Sequence, residues 1–294
     1  MKLLVTGGSG LLGSNILRLA NKDFECFGTY NTNPLTINDC KFYKLDITNK
    51  NDVNSLFQKI NPEVVIHTSS LTNVDYCEKN REETWKVNVE GTRNIVDVSK
   101  NLNCKLVFIS TDFVFDGIKG MYTEIDKPNP LNYYGLTKLE GEKLVRALND
   151  YLIIRTTRLY GRVEKGQKRN FAIWVIESLK NKQTISVITD QICSPTLANV
   201  CADVIIKLIK KSDIGFFNVA GKGCVSVFDF AKSIANVFEL DDSYINPVTT
   251  KKSNQVAKRP MKNCLDVTKV EKELNIKIPT IVESLKIMKQ EMVE

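Results

Sequence analysis

Lys2-Leu3-Leu4-Val5-Thr6-Gly7-Gly8-Ser9-Gly10-Leu11-Leu12-Gly13 is the stretch on which the reading of the fold turns. Lys2 to Thr6 is a short apolar run of the kind buried in a parallel sheet. It enters glycines spaced G-x-x-G-x-x-G, and a helix is expected to follow through Asn21. Gly7 permits a tight turn, Gly10 lets the backbone approach a pyrophosphate, and Gly13 allows close packing of helix on strand. The exposed amides of the helix start then hold the anion. A glycine-rich turn is weak evidence alone. Strand, glycines and helix in this order point to a bound dinucleotide.

Outward from that turn, strands and helices alternate. Strands are expected at 25–29, 41–44, 64–67, 106–109 and 152–156, with helices at 51–60, 83–102 and 134–148 between them. This alternation predicts a doubly wound parallel sheet, a Rossmann-like α/β fold. After about residue 156 the composition shifts toward Lys, Arg, Gln and Asn. A dinucleotide-binding domain is therefore expected over 1–156, with a later return around 185–220. Residues 157–184 and 221–294 would form a smaller α/β substrate lobe.

The second strand leads into Tyr30-Asn31-Thr32-Asn33-Pro34. A carboxylate there would grip the 2′-hydroxyl of NAD, and none is present. Missing repulsion admits a 2′-phosphate that Asn31 or Thr32 can hydrogen-bond, so NADP is the expected cofactor and NAD the alternative. Asp46 and Ile47, past the third strand, suit the adenine. Thr68, Ser69 and Ser70 leave room for the cofactor, and Asn88 is placed to support the site. His67 reads as a satisfied core residue.

Chemistry is expected at Thr111, Tyr134 and Lys138. Thr111 ends an apolar strand, where open α/β sheets place their ligands. Tyr134 and Lys138 stand four apart on one helical face. An ammonium beside a phenol would lower the phenol's pKa toward a value useful for proton transfer. Hydroxyl, phenol and ammonium together can polarise a carbonyl and protonate it while hydride arrives from elsewhere. Glu140, Glu142 and Lys143 are expected on solvated faces of the same helix.

The net charge of +7 is modest and lacks like-charge blocks, which disfavours nucleic-acid binding. No apolar run approaches membrane-spanning length. The eight cysteines contain no C-x-x-C pair and no signal peptide is read at Met1, so they are expected as free thiols in a reducing cytoplasm. With a single histidine and no clustered ligands, no metal site is expected.

The glycine turn, Ser110-Thr111-Asp112-Phe113-Val114-Phe115-Asp116-Gly117 and Tyr134-Gly135-Leu136-Thr137-Lys138 resemble the extended short-chain dehydrogenase/reductases. More narrowly, with Asn170-Phe171-Ala172, Asp190-Gln191, Pro195-Thr196 and Arg259-Pro260, the chain resembles the dTDP-4-dehydrorhamnose reductase branch. That resemblance implies a catalytic triad of Thr111, Tyr134 and Lys138, with Tyr134 and Lys138 also meeting the cofactor. It implies a cofactor lining of Gly7, Ser9, Gly10, Leu11, Leu12, Asp46, Ile47 and Thr68 to Ser70. Substrate contacts are implied at Val74, Thr111, Asn170 and Arg259. The implied activity is NAD(P)H-dependent reduction of the 4-keto group of a nucleotide-diphosphate sugar, dTDP-4-dehydrorhamnose to dTDP-rhamnose. One departure stands out. Members of the branch usually carry a tryptophan after Arg-Thr-Ser, where this chain has Arg155-Thr156-Thr157-Arg158, placing a charge and five donors in place of a flat wall. Arg158 or Arg169 is thus a further candidate for the sugar nucleotide. A homodimer is compatible with the family. Two other readings stay open: a nucleotide-sugar epimerase or dehydratase using Asp112, and a regulatory nucleotide-binding subunit like the methionine adenosyltransferase beta subunit.

Overall fold

β-branched and aromatic residues fill the runs expected as strands, and the computed structural model, which describes residues 1–293, pairs them into one sheet. Its strands are β1 (Lys2–Thr6), β2 (Glu25–Tyr30), β3 (Cys40–Lys44), β4 (Val64–His67), β5 (Lys105–Thr111) and β6 (Tyr151–Thr156), with Gly215–Asn218 as the seventh. The order is Gly215–Asn218, β6, β5, β4, β1, β2, β3, and every pairing is parallel. The strand order therefore reverses at β1. The carboxyl ends of β1 and β4 open a crevice at that switch point, which is where this architecture binds ligands.

Helices cover both faces. α1 (Leu11–Ala20) packs with the later helix Ala198–Lys210 on one face, around Leu3, Val5, Ile16, Val204 and Leu208. On the other face lie α2 (Lys50–Ile60), α3 (Val74–Lys79), α4 (Arg81–Trp85), α5 (Gly91–Leu102) and α6 (Tyr133–Val145). Phe57, Ile95, Phe108 and Ile153 fill the space between that second layer and the sheet. The helix expected from 83 to 102 is interrupted by a π-helical turn over Lys86–Glu90, and that turn carries Asn88. α3 was not expected; at six residues it is too short to show a period.

The remaining segments build a smaller lobe around Tyr160, Ile176, Phe230 and Leu285. Its main helices are Phe171–Lys180, Val227–Val237 and Ile281–Glu291. Ile185–Ile188, expected with the first domain's return, pairs instead with Ile245–Val248. Ile185 and Val187 bury themselves in the lobe's own core, which decides the matter. Ile192–Cys193 is the middle of a three-stranded sheet with Val225–Ser226 and Lys262–Asn263 as its edges. This arrangement brings Cys224 and Cys264 together as a disulfide, with Cα atoms 5.7 Å apart, correcting the reading of all eight cysteines as free. The other six are free thiols. Among the described residues no helix is long and apolar enough to cross a membrane.

Candidate active site

The glycine turn has the backbone its spacing implies. Gly7 has φ +71°, a conformation that side chains disfavour. A Cβ at Gly13 would collide with the Gly7 carbonyl and stand 2.8 Å from the Gly8 Cα. Gly10 caps α1 with no side-chain hydrogen bond, so the first amides of the helix keep their donors for an anion. Gly10 is exposed and Ser9 and Leu11 are half-buried, whereas the Leu12 side chain belongs to the core, leaving only its backbone to a ligand. Across the crevice, the Thr68 hydroxyl donates to the Thr6 carbonyl at 2.7 Å, and Ser69 faces Gly7. Ile47 is buried under Gly91, Asp46 is exposed and accepts from Thr48, and Asn31 is exposed beyond β2.

A tether runs over this turn from the smaller lobe. Gln167 donates to the Ser9 carbonyl and to the Ser14 hydroxyl, both at 3.0 Å. Arg18 pairs with Glu164, and Asn33 donates to the Gly166 carbonyl. The sequence offered no sign of this tether, since Gln167 lies 153 residues beyond Ser14 in an irregular loop.

Thr111, Tyr134 and Lys138 converge at the carboxyl end of β5, all at most 9% exposed. α6 begins where Asn132 accepts from the Gly135 amide at 2.9 Å, a cap that sets the Tyr134 turn. Asn88 holds the same helix from the side. It donates to the Thr137 hydroxyl and the Leu71 carbonyl, and it accepts from Ser70 and from the Leu71 amide. His67 bridges the Thr6 and Thr92 hydroxyls in the core, its pKa lowered to about 3 by burial and then by Lys138, so it stays neutral.

The electrostatics of Tyr134 depart from expectation. Burial raises its phenol well above the ordinary value, with only the Thr111 hydroxyl drawing it back and Asp112 and Cys77 adding to the rise. Burial lowers Lys138 to about 7, partly countered by Glu142. The Lys138 Nζ stands 4.1 Å from the centroid of the Phe108 ring. The expected ammonium-assisted phenol is thus overridden by desolvation in the protein alone.

Asp112 anchors the other flank. It accepts from Thr111 at 3.0 Å, from Thr157 at 2.8 Å and from Asn263 at 2.7 Å. Burial raises its pKa to about 6 despite those three donors. Both oxygens are engaged, Oδ1 by Thr111 and Oδ2 by Thr157 and Asn263. Glu142, expected on a solvated face, is 2% exposed and forms a bidentate pair with buried Arg155 at 2.9 and 2.8 Å while accepting from Ser110. One turn beyond Lys138, it faces the sheet because Lys138 does.

The substrate candidates divide. Arg259 pairs with Asp75 at 2.9 Å and sits over Phe113, whose ring meets Tyr134 edge-on. It lines a cleft of about 500 Å³ with Asp116, Leu131, Gln255, Lys258 and Met261. Val74, half-buried, starts α3 beside Asp75. Asn170 caps the helix Phe171–Lys180, accepting from Ile173 and donating to the Gly161 carbonyl, so its amide is already spent. Arg169 is exposed in a pair with Glu177. Arg158 has φ +39° and stacks on Phe171, and no carboxylate pairs with it among the described residues.

The RmlD substrate binding domain family matches this chain over residues 1–294. The chain belongs to that family. It is 34% identical over 289 residues to the probable low-salt glycan biosynthesis reductase Agl14 of Haloferax volcanii, covering 97% of this chain and 96% of that one. It is 33% identical over 288 residues, 94% of each chain, to a dTDP-4-dehydrorhamnose reductase of Aggregatibacter actinomycetemcomitans. A methionine adenosyltransferase 2 subunit beta of Bos taurus is 30% identical over 285 residues, 92% of this chain and 81% of that one. Among solved structures, a dTDP-4-dehydrorhamnose reductase of Bacillus anthracis in complex with NADP is 32% identical with a TM-score of 0.86, covering 99% of this chain and 100% of that one. Phe113, under Arg259 and edge-on to Tyr134, joins the cleft to the buried Thr111–Tyr134–Lys138 corner.

Proposed function

We propose that this RmlD-family chain is an NADPH-dependent reductase of a 4-keto nucleotide-diphosphate sugar, with dTDP-4-dehydrorhamnose as the reference substrate. The observation that carries this is the burial of Thr111, Tyr134 and Lys138 together at the end of β5, two strands from a glycine turn with uncapped helix amides. The chain is an NAD(P)-dependent oxidoreductase, and NADP is the cofactor its relatives support. The α1 amides with Gly7, Ser9 and Gly10 would hold the pyrophosphate, and Lys138 the nicotinamide ribose. Asp46 and Ile47 would flank the adenine.

The bound cofactor supplies a hydride to the carbonyl carbon. Everything else is the work of this chain. Tyr134 gives its phenolic proton to the carbonyl oxygen as the C=O π bond breaks, so ketone becomes alcohol and the phenolate is reprotonated from solvent. Thr111 donates to the same oxygen after leaving Asp112, which is easiest when Asp112 holds its own proton. Arg259, at the mouth of the cleft, binds the diphosphate, and the smaller lobe covers the sugar. The bonds of Asp112 to Thr111, Thr157 and Asn263 give it the work of holding the corner together, which speaks against the acid role that a dehydratase needs. A purely regulatory subunit has no need of a buried phenol and lysine on a helix that Asn88 and Asn132 pin in place.

The test is NADPH oxidation with a supplied dTDP-4-keto sugar, with the product alcohol identified. Tyr134→Phe should cut turnover by about 10²-fold or more while the Kd for NADP moves less than about twofold. Near wild-type turnover in that variant would remove Tyr134 from the chemistry. No consumption of NADPH by the wild-type chain would favour the regulatory reading.

A further inference from the structure

Arg158 is a cation with no counter-ion among the described residues, and it stands one residue from the catalytic corner. It follows the end of β6, and the preceding Thr157 donates to Asp112, the residue that also holds Thr111. The 2.8 Å bond from Thr157 to Asp112 sets Arg158 one residue from the catalytic corner, and its charge acts on Asp112, Cys193 and Arg259. Its Nε is buried with no hydrogen-bonding oxygen or nitrogen among the described residues, the guanidinium interacting there only with the Cys193 thiol, whose pKa it helps hold down. The guanidinium carbon lies over the Phe171 ring, 5.4 Å from its centroid. Its backbone holds φ +39°, a conformation a non-glycine residue adopts only when its surroundings insist. The other charges nearby are already settled: Arg259 has Asp75, and Asp112 has three donors. A half-buried guanidinium with an orphaned N–H costs free energy until an oxyanion meets it.

We propose that Arg158 receives a carboxylate on the sugar ring, so that the chain prefers nucleotide sugars of the hexuronate class over neutral 6-deoxy sugars. This rests on the nucleotide-sugar reading above and moves the preferred sugar of that class from the neutral reference substrate to a charged one. A planar fork stacked on an aromatic ring is built for a bidentate carboxylate, with two parallel N–H···O bonds. The diphosphate is the other source of oxyanion on such a ligand. It is assigned to Arg259 because that residue lines the large cleft, whereas Arg158 adjoins the Thr111–Asp112 pair where the reacting ring carbon must lie.

Binding decides this independently of turnover. Isothermal titration of the NADP-loaded chain would use nucleoside diphosphate hexuronates and the matching neutral hexoses, in both uridine and deoxythymidine series. The wild-type chain should bind the hexuronate at least about tenfold more tightly than its neutral counterpart. Arg158→Gln should bring that ratio close to one, and Arg158→Lys should restore part of it. Arg259→Ala should weaken both ligands alike. Equal weakening of both ligands by Arg158→Gln would place Arg158 on the diphosphate and overturn the proposal. An unchanged ratio, or a wild-type preference for the neutral sugar, would overturn it too. Should no keto sugar be reduced while the Arg158-dependent ratio holds, the reductase reading falls and the carboxylate site stands. Circular dichroism of each variant guards against misfolding, and an unfolded Gln variant would pass the decision to the Lys variant.

Discussion

Lys138 illustrates how far a single residue's chemistry depends on what surrounds it. Its ammonium is buried above Phe108, and burial lowers its pKa to about 7 from an ordinary 10.5. The folded pKa is depressed, so the charged form is disfavoured by folding. That penalty is complete below about pH 7 and fades as pH rises toward 10.5, which means this group's contribution to stability improves over that window. Bound NADP brings anionic phosphates and must push the other way, favouring the ammonium. Binding near pH 8 should therefore take up a fraction of a proton, whereas His67 is already neutral and Asp112, at about 6, is already ionised. Titration calorimetry in buffers of different ionisation enthalpy would measure the uptake, and Lys138→Met should abolish it. No uptake by the wild-type chain would mean that Lys138 does not meet the cofactor. The four-residue spacing of Tyr134 and Lys138 was legible in the sequence because helical geometry fixes it. The sign of their pKa shifts was not, because desolvation depends on Phe108, Asn88 and the sheet packed around them.

At the scale of elements, α6 is held to the sheet by a buried ion pair rather than by a wide apolar face. Glu142 and Arg155 are 2% and 3% exposed, and the Arg155 guanidinium lies between Phe115 and Phe216 at 5.0 and 4.7 Å. Removing one partner leaves an uncompensated buried charge, so Arg155→Met should destabilise the fold by about 3–5 kcal/mol. Changing Glu142→Leu as well should recover most of that loss, since replacing the whole pair by apolar groups is often close to neutral. Chemical denaturation of the two variants would decide, and equal losses in single and double variants would show that packing around Arg155, not charge, is what matters. β1, β4, β5 and β6 were readable as apolar runs bounded by turn residues, α1 from the glycine turn that opens it, and α2 from its place between strands. Glu142 misled because its neighbours Glu140 and Lys143 are solvated, and one sequence cannot show which helical stripe meets a distant Arg155.

On the scale of the whole molecule, the two lobes meet over the glycine turn, and that meeting bears on cofactor choice. β2 ends in Tyr30-Asn31-Thr32-Asn33 with no carboxylate, so nothing there repels a 2′-phosphate or claims a 2′-hydroxyl. The smaller lobe sends residues 161–170 back across the crevice. Asn33 donates to the Gly166 carbonyl at 3.0 Å and Gln167 to the Ser9 carbonyl. Lys165 and Lys168, both exposed, flank those two anchors, so their charge is delivered to the β2 side by a loop that belongs to the other lobe. Sequence order conceals this, because a loop without period or punctuation gives no hint of where its ends will dock. The alternation of strands and helices was enough for the sheet; the tether needed coordinates. Steady-state kinetics with both cofactors should show NADPH used at least as well as NADH. Lys165→Gln with Lys168→Gln should shift kcat/KM toward NADH by about tenfold, equivalent to about 1.4 kcal/mol, with the effect shrinking at high salt as expected for exposed charges. A preference of about 100-fold for NADH in the wild-type chain would show that the β2 end recognises a hydroxyl after all. An unchanged ratio in the double variant would leave any NADPH preference to Asn31 and Thr32 on the first lobe.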